Sequence, residues 1–178
     1  MKVISTSLEG CVEIEPKVFG DERGFFLEAF QVDRYAEEAG IKLPFVQDNH
    51  SRSSYGILRG LHYQKTKPQG KLVRVVHGEV LDVAVDLRKG SSSFGFHHSV
   101  VLSGQNKKQL WVPPGFAHGF VVLSETADFE YKCTDLYDPS DEAGIIWNDS
   151  TLNIDWIIKD VILSEKDSAL PNFKDIFH

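Results

Sequence analysis

The chain has 178 residues, of which 42% are hydrophobic and 25% charged, and a formal net charge of -7 at pH 7. That length and composition predict one globular domain over 1–178 with a sizeable core. The acidic balance argues against nucleic acid or an anionic membrane as partner, although a pocket can still be locally basic.

Residues 1–30 read as two or three short strands, with rough alternation over 6–14. A turn over 20–24 leads into the aromatic run 25–30. A short helix is expected over 33–39, with a capping residue at its start and Gly40 at its stop. Strands follow over 45–50 and 56–64. The segments 71–77 and 80–87 flank Gly78 and Glu79 and read as a hairpin. Further strands are expected over 96–102, 109–112, 119–123 and 128–137. From about 150 the pattern changes to short helical turns, with Ser164 capping Glu165, Lys166 and Asp167. Many short strands with Gly or Pro between them predict an all-β sandwich or barrel with a few short peripheral helices.

Cys11 and Cys133 have neither framework nor metal spacing and read as reduced thiols. The first residues carry no apolar leader, and no stretch reaches about 18 apolar residues. A cytoplasmic protein is the expectation.

Alternation sorts side chains onto faces. Over 80–87, Leu81, Val83, Val85 and Leu87 form an apolar face. Val80, Asp82, Ala84 and Asp86 form the other, which suits either a polar cavity wall or solvent. Over 128–137, Tyr131 shares a face with Phe129, Cys133 and Tyr137 and points inward, where a phenol needs a partner.

The strand over 56–64 carries Arg59, His62 and Gln64 among apolar residues. Strict parity puts Arg59 and His62 on opposite faces. A bulge would bring them together, and Gly60 is the residue type that marks one. A joint role for the two therefore requires that the alternation break at Gly60.

The run Pro113, Pro114, Gly115, Phe116, Ala117, His118 matches the P-x-G-x-x-H signature of cupins, small jelly-roll barrels in which a tight turn delivers a histidine to the barrel mouth. Many cupins bind a divalent metal through an H-x-H pair, a carboxylate soon after it and this later histidine. Here His62 is followed by Tyr63 and Gln64, and by Lys65, Thr66, Lys67 and Pro68 where the carboxylate should fall. Two isolated histidines are too few for a first-row metal, so none is expected. His50, His77, His97 and His98 lack ligand partners in sequence and read as structural or surface residues.

Together these motifs resemble the dTDP-4-dehydrorhamnose 3,5-epimerase family. The resemblance runs through 21–28, 47–51, 56–64, 71–75, 82–88, 109–120, 131–134 and 163–167, nearly the whole chain. It implies a cupin-like jelly-roll barrel without a cofactor, usually a homodimer whose N-terminal strands cross to the partner. It implies that dTDP-4-keto-6-deoxy-D-glucose is epimerised at C3 and C5 to dTDP-4-keto-L-rhamnose. By the same resemblance His62 is the general base, Asp167 its partner, Tyr131 the proton donor and Lys71 the group that steadies the enolate. Arg23, Glu28, Gln47, Asn49, Arg59, His118, Glu142 and Lys166 look like nucleotide-sugar contacts, and Tyr137 would stack on the thymine. Position 77 is histidine where the resemblance leads one to expect arginine.

The chemistry explains the residue types. The C3 and C5 protons are both α to the C4 ketone, so a base on one face and an acid on the other suffice for inversion. Histidine, with an ordinary pKa of about 6.5, serves as base at neutral pH, and tyrosine, at about 10, stays protonated. A lysine places charge where the enolate develops. Arginines meet diphosphate oxygens in bidentate fashion. Three other readings fit parts of this pattern. They are a single-carbon epimerase or ketoisomerase, a non-catalytic sugar-nucleotide-binding cupin, and a metal-dependent dioxygenase or isomerase.

Overall fold

The structure is a computed structural model that describes residues 1–177. Its strands are β1 (Lys2–Ser5), β2 (Val12–Glu15), β3 (Val18–Asp21), β4 (Gly24–Leu27), β5 (Gln47–Ser54), β6 (Leu58–Gln64), β7 (Lys71–His77), β8 (Glu79–Asp86), β9 (His97–Ser103), β10 (Gln109–Val112), β11 (Phe116–Val122), β12 (Thr126–Cys133) and β13 (Glu142–Gly144). Three short helices complete it: α1 (Val32–Glu38), α2 (Glu165–Ser168) and α3 (Phe173–Ile176).

Two antiparallel sheets face each other. One has the order β1-β2-β10-β7-β12-β5, the other β13-β6-β11-β8-β9, and β3 and β4 form a separate hairpin. This is the all-β sandwich expected from the strand spacing, in the jelly-roll form that the resemblance implies. Between the sheets lies a core of Val73, Val75, Val80, Ala84, Leu102, Leu110, Phe120 and Phe129. A second cluster covers the outside of the five-stranded sheet. There Leu58, Leu61, Leu81, Val83, Val85 and Val121 meet Ile145, Trp156 and Phe173 of the C-terminal segment. The third seats Tyr35 and Ile41 against Ile14, Leu72 and Trp111 of the other sheet.

Several local expectations need correction. Residues 6–11 are a turn between β1 and β2, closed by the Thr6 hydroxyl on the Leu8 and Cys11 carbonyls. α1 begins at Val32, one residue before the expected start, and is capped by Gln31, whose side chain accepts from the Arg34 amide. Glu142–Gly144 adds a short strand that its composition did not announce.

The hairpin over 71–87 does not form. β7 pairs with β10 and β12, whereas β8 pairs with β11 and β9 in the facing sheet. Gly78 alone joins them, at φ +75, and a Cβ there would meet Thr126 O at 2.0 Å. One extra residue of β7, between the partners of Asp128 and Phe129, bends the strand toward this corner. Alternation followed by a glycine has the same appearance whether the chain reverses within a sheet or steps across to the next.

The face of β8 left open between cavity and solvent is interior. Asp82 and Asp86 are both completely buried, as are Val80 and Ala84. β12 ends at Cys133, so Tyr137 lies in the connection beyond it and not on the face of Tyr131.

The expected break at Gly60 is present. β11 opposes β6 with His118 against His62 but Phe120 against Arg59, so three steps on β6 face two on β11. Gly60 has φ +123, and the Gly60–Leu61 peptide is cis. A Cβ at Gly60 would meet Gly119 Cα at 2.6 Å and His118 O at 2.8 Å. Gly60→Ala is therefore expected to destabilise the fold by about 1–3 kcal/mol or more and to displace His62. Thermal unfolding checks this, and an unchanged Tm would contradict it.

Among the described residues no helix is long and apolar enough to cross a membrane.

Candidate functional site

The bulge in β6 turns Arg59 and His62 into one cavity of about 470 Å³ between the sheets. Lys71 from β7, His118 from β11, Tyr131 from β12, and Lys166 and Asp167 from α2 line it as well. The histidines and Arg59 come from the five-stranded sheet, and Lys71 and Tyr131 from the six-stranded sheet facing it. His62 and Tyr131 thus reach the same space from opposite walls.

His62 Nε2 lies 2.6 Å from Asp167 Oδ1. Asp167 is almost wholly buried and also accepts the Gly60 amide, at 3.4 Å. Burial pushes its carboxyl up, but the hydrogen bond and charge of His62 outweigh it, and Asp167 lies below the ordinary carboxylate range. Ser164 fixes the turn by accepting the Asp167 amide at 3.0 Å, the cap expected from sequence. Asp167 occupies one ring nitrogen of His62, so Nδ1 is the one left to exchange a proton with a substrate.

Tyr131 packs on Phe129, ring centroids 5.9 Å apart, with the Lys71 ammonium 5.9 Å from its own ring centre. Burial pushes the Tyr131 phenol above its ordinary value, so it remains a proton donor at neutral pH. Burial lowers the Lys71 ammonium, an effect offset in part by Cys133, Glu142 and Asp82. Among the described residues Lys71 has no ion-pair partner within contact distance, which leaves its charge available to a ligand.

A second histidine–carboxylate pair lies beside the first. His118 Nε2 stands 2.9 and 3.0 Å from the two oxygens of Asp82, and its ring stacks on Phe129. Asp82 is a partner that alternation alone did not single out, and a buried acid in a valine-rich strand is the signal that would have found it. Arg59 Nε donates to Ser53 Oγ at 3.0 Å, and Ser51 and Ser164 line the cavity. Ser53 does not stand out in sequence, whereas Ser164 was expected as a helix cap and not as a cavity wall.

An adjoining recess of about 270 Å³ shares His62, Lys71 and Tyr131 and adds Gln47, Asn49, Tyr137 and Glu142. Gln47 donates to Asn49 at 3.0 Å, and Asn49 to the Cys133 thiol at 3.6 Å. Glu142 contacts Lys166 and accepts the Tyr137 hydroxyl at 2.7 Å.

Two expected contacts are elsewhere in this subunit. Arg23 sits at the tip of the β3–β4 hairpin, paired with Asp21, its side chain 89% exposed. Glu28 pairs with Arg34 at 2.7 Å and borders a groove on the outer side of the six-stranded sheet. Neither lines the cavity that holds His62.

A jelly-roll barrel with a histidine–carboxylate pair and a tyrosine on facing walls of one cavity is a cupin-like scaffold equipped for proton transfer. The sequence model described as dTDP-4-dehydrorhamnose 3,5-epimerase matches residues 5–175. The dTDP-4-dehydrorhamnose 3,5-epimerase of Shigella flexneri is 53% identical over 176 residues, which covers 98% of this chain and 97% of that protein. The crystal structure of dTDP-6-deoxy-D-glucose-3,5-epimerase from Legionella pneumophila in complex with dTDP-4-keto-L-rhamnose superposes with a TM-score of 0.96 at 56% identity, over 98% of this chain and 94% of that one. A 3'-monoepimerase from Streptomyces bikiniensis, in complex with dTDP-quinovose, superposes with a TM-score of 0.88 at 31% identity, over 95% and 86% of the two chains. The chain belongs to the dTDP-4-dehydrorhamnose 3,5-epimerase family.

Proposed function

We propose that the chain epimerises dTDP-4-keto-6-deoxy-D-glucose at C3 and C5 to dTDP-4-keto-L-rhamnose. The observation that carries this reading is the placement of His62, backed by Asp167, and Tyr131 on facing walls of one cavity. His62 Nδ1 takes the α proton, and the electron pair moves into the C4 carbonyl to give an enolate. Lys71 steadies the enolate oxygen. Tyr131 returns a proton to the opposite face of the carbon, which inverts it. Asp167 holds the imidazole in one orientation and stabilises the imidazolium. The same groups serve both carbons in turn.

Arg59, His118 and Lys166 bind the diphosphate and sugar. Gln47, Asn49, Glu142 and Tyr137 bind toward the nucleoside, with Tyr137 on the thymine. Arg23 and Glu28 act on the site of a second subunit in a homodimer. Support for this comes from the exposed β3–β4 hairpin, where Phe19, Phe25 and Phe26 are left uncovered. The reading keeps 1–178 as one domain, and the two buried free cysteines accord with the cytoplasm.

Deuterium uptake from heavy water tests the reaction. Two labelled carbons support the double epimerase and one the single-carbon alternative, whose relative here is the more distant one. Binding of the nucleotide sugar without any exchange would leave only a ligand-binding protein. Lys71→Met is expected to lower kcat by roughly 10²-fold with little change in KM, because the charge is needed most at the enolate.

The dimer has its own test. Mixed refolding of His62→Ala with Arg23→Ala chains restores one intact site per hybrid if the hairpins are exchanged. It restores none if each site is built from one chain.

A further inference from the structure

We infer that Glu142 is a positioning residue which ties occupancy of the diphosphate end of the cavity to the proton affinity of His62. The inference rests on the proposed roles of His62 as base and Lys166 as diphosphate contact. Glu142 enters from β13, two residues before Gly144, which pairs with His62. Its side chain is only 11% exposed. Oε2 is engaged by the Lys166 ammonium and by the Tyr137 hydroxyl. Oε1 stands 3.8 Å from His62 Nδ1, the nitrogen that Asp167 leaves free.

The carboxylate therefore touches both ends of the reaction. Its two outer partners are half exposed and free to move toward a ligand, whereas Glu142 itself is held by the sheet. With the cavity empty, Lys166 neutralises Glu142, and His62 sees little net charge from that side. When a diphosphate recruits Lys166, the negative charge of Glu142 is left facing Nδ1. A carboxylate at this distance favours the protonated imidazole. The base then becomes a stronger proton acceptor only once substrate is in place. The other charged or titratable groups around His62 are Asp167, which favours proton uptake, Lys71 and Arg59, which oppose it, and His118, Asp82 and Tyr131.

The test is the titration of the His62 ring by NMR, with the resonance assigned by its loss in His62→Ala, free and with saturating thymidine diphosphate. The nucleotide is expected to raise the wild-type midpoint. Glu142→Gln should lower the free midpoint and shrink the rise caused by the nucleotide. Lys166→Met should raise the free midpoint toward the liganded wild-type value. An equal nucleotide-induced rise in wild type and Glu142→Gln overturns the inference, as does an unmoved free midpoint in Lys166→Met. If Glu142→Gln does not fold, the Lys166→Met titration still decides. The assignment of His62 as base fails by a different result, deuterium uptake that survives His62→Ala.

Discussion

Replacing His62 by alanine is expected to abolish deuterium uptake at both C3 and C5 and to lower kcat on the order of 10³–10⁴-fold. The loss is large because no neighbouring group can stand in. The other cavity histidine, His118, has its Nε2 committed to a wholly buried Asp82 and sits on Phe129. Lys71 has its ammonium lowered by burial, but its place is on the wall opposite His62. Nucleotide binding should survive, since the diphosphate contacts remain. Asp167→Asn is the companion: the side chain keeps its shape but no longer offers a carboxylate 2.6 Å from Nε2. A His62→Ala enzyme that still exchanges solvent deuterium would place the base elsewhere.

The second large effect is expected from Tyr131→Phe, and it differs in kind. His62 can still remove the α proton and return a deuteron to the face from which it came. Solvent label should therefore enter the substrate carbons with retention, while inverted product falls on the order of 10²–10³-fold. NMR of the recovered nucleotide sugar separates labelling from inversion. Loss of both together would mean that Tyr131 is needed for enolate formation itself. The variant should fold, because Phe129, Cys133 and the strand pairing of β12 are untouched. Burial, which holds the phenol above its ordinary value, keeps it protonated through the neutral range, so the tyrosine should set no limb of the pH profile there.

How far the sequence could be read depended on whether the deciding interaction was local. The Ser164 cap, the strands Lys71–His77 and Gln109–Val112, and the irregularity at Gly60 rest on one or two neighbouring residues, and each was legible. The pairing of β7 was not. Gly78 needs positive φ in a hairpin and at a sheet corner alike, and only the partners across the barrel distinguish the two. Asp82 was half legible. Its face was visible from alternation, but whether that face met water depended on a sheet that alternation does not describe. Arg23 and Glu28 were attributed to the site by resemblance, and within one subunit they stand outside the cavity. His62, Tyr131, Lys71 and Asp167 are far apart in the chain, and their meeting followed from the family pattern more than from any local rule.

The bond between His62 and Asp167 spans 105 residues and is made by one of the last turns of the chain. Every strand is finished by Gly144. A chain emerging from the ribosome therefore has all its strands while its histidine still lacks a carboxylate and the cavity still lacks the wall made by Ile162, Leu163, Ser164, Lys166 and Asp167. The proposed diphosphate contact Lys166 and the proposed partner of the base, Asp167, arrive in the same turn. Proteolysis that removed the chain from α2 onward would take Lys166, Asp167 and Phe173 together, so the remaining barrel is expected to bind the nucleotide sugar weakly and to turn nothing over.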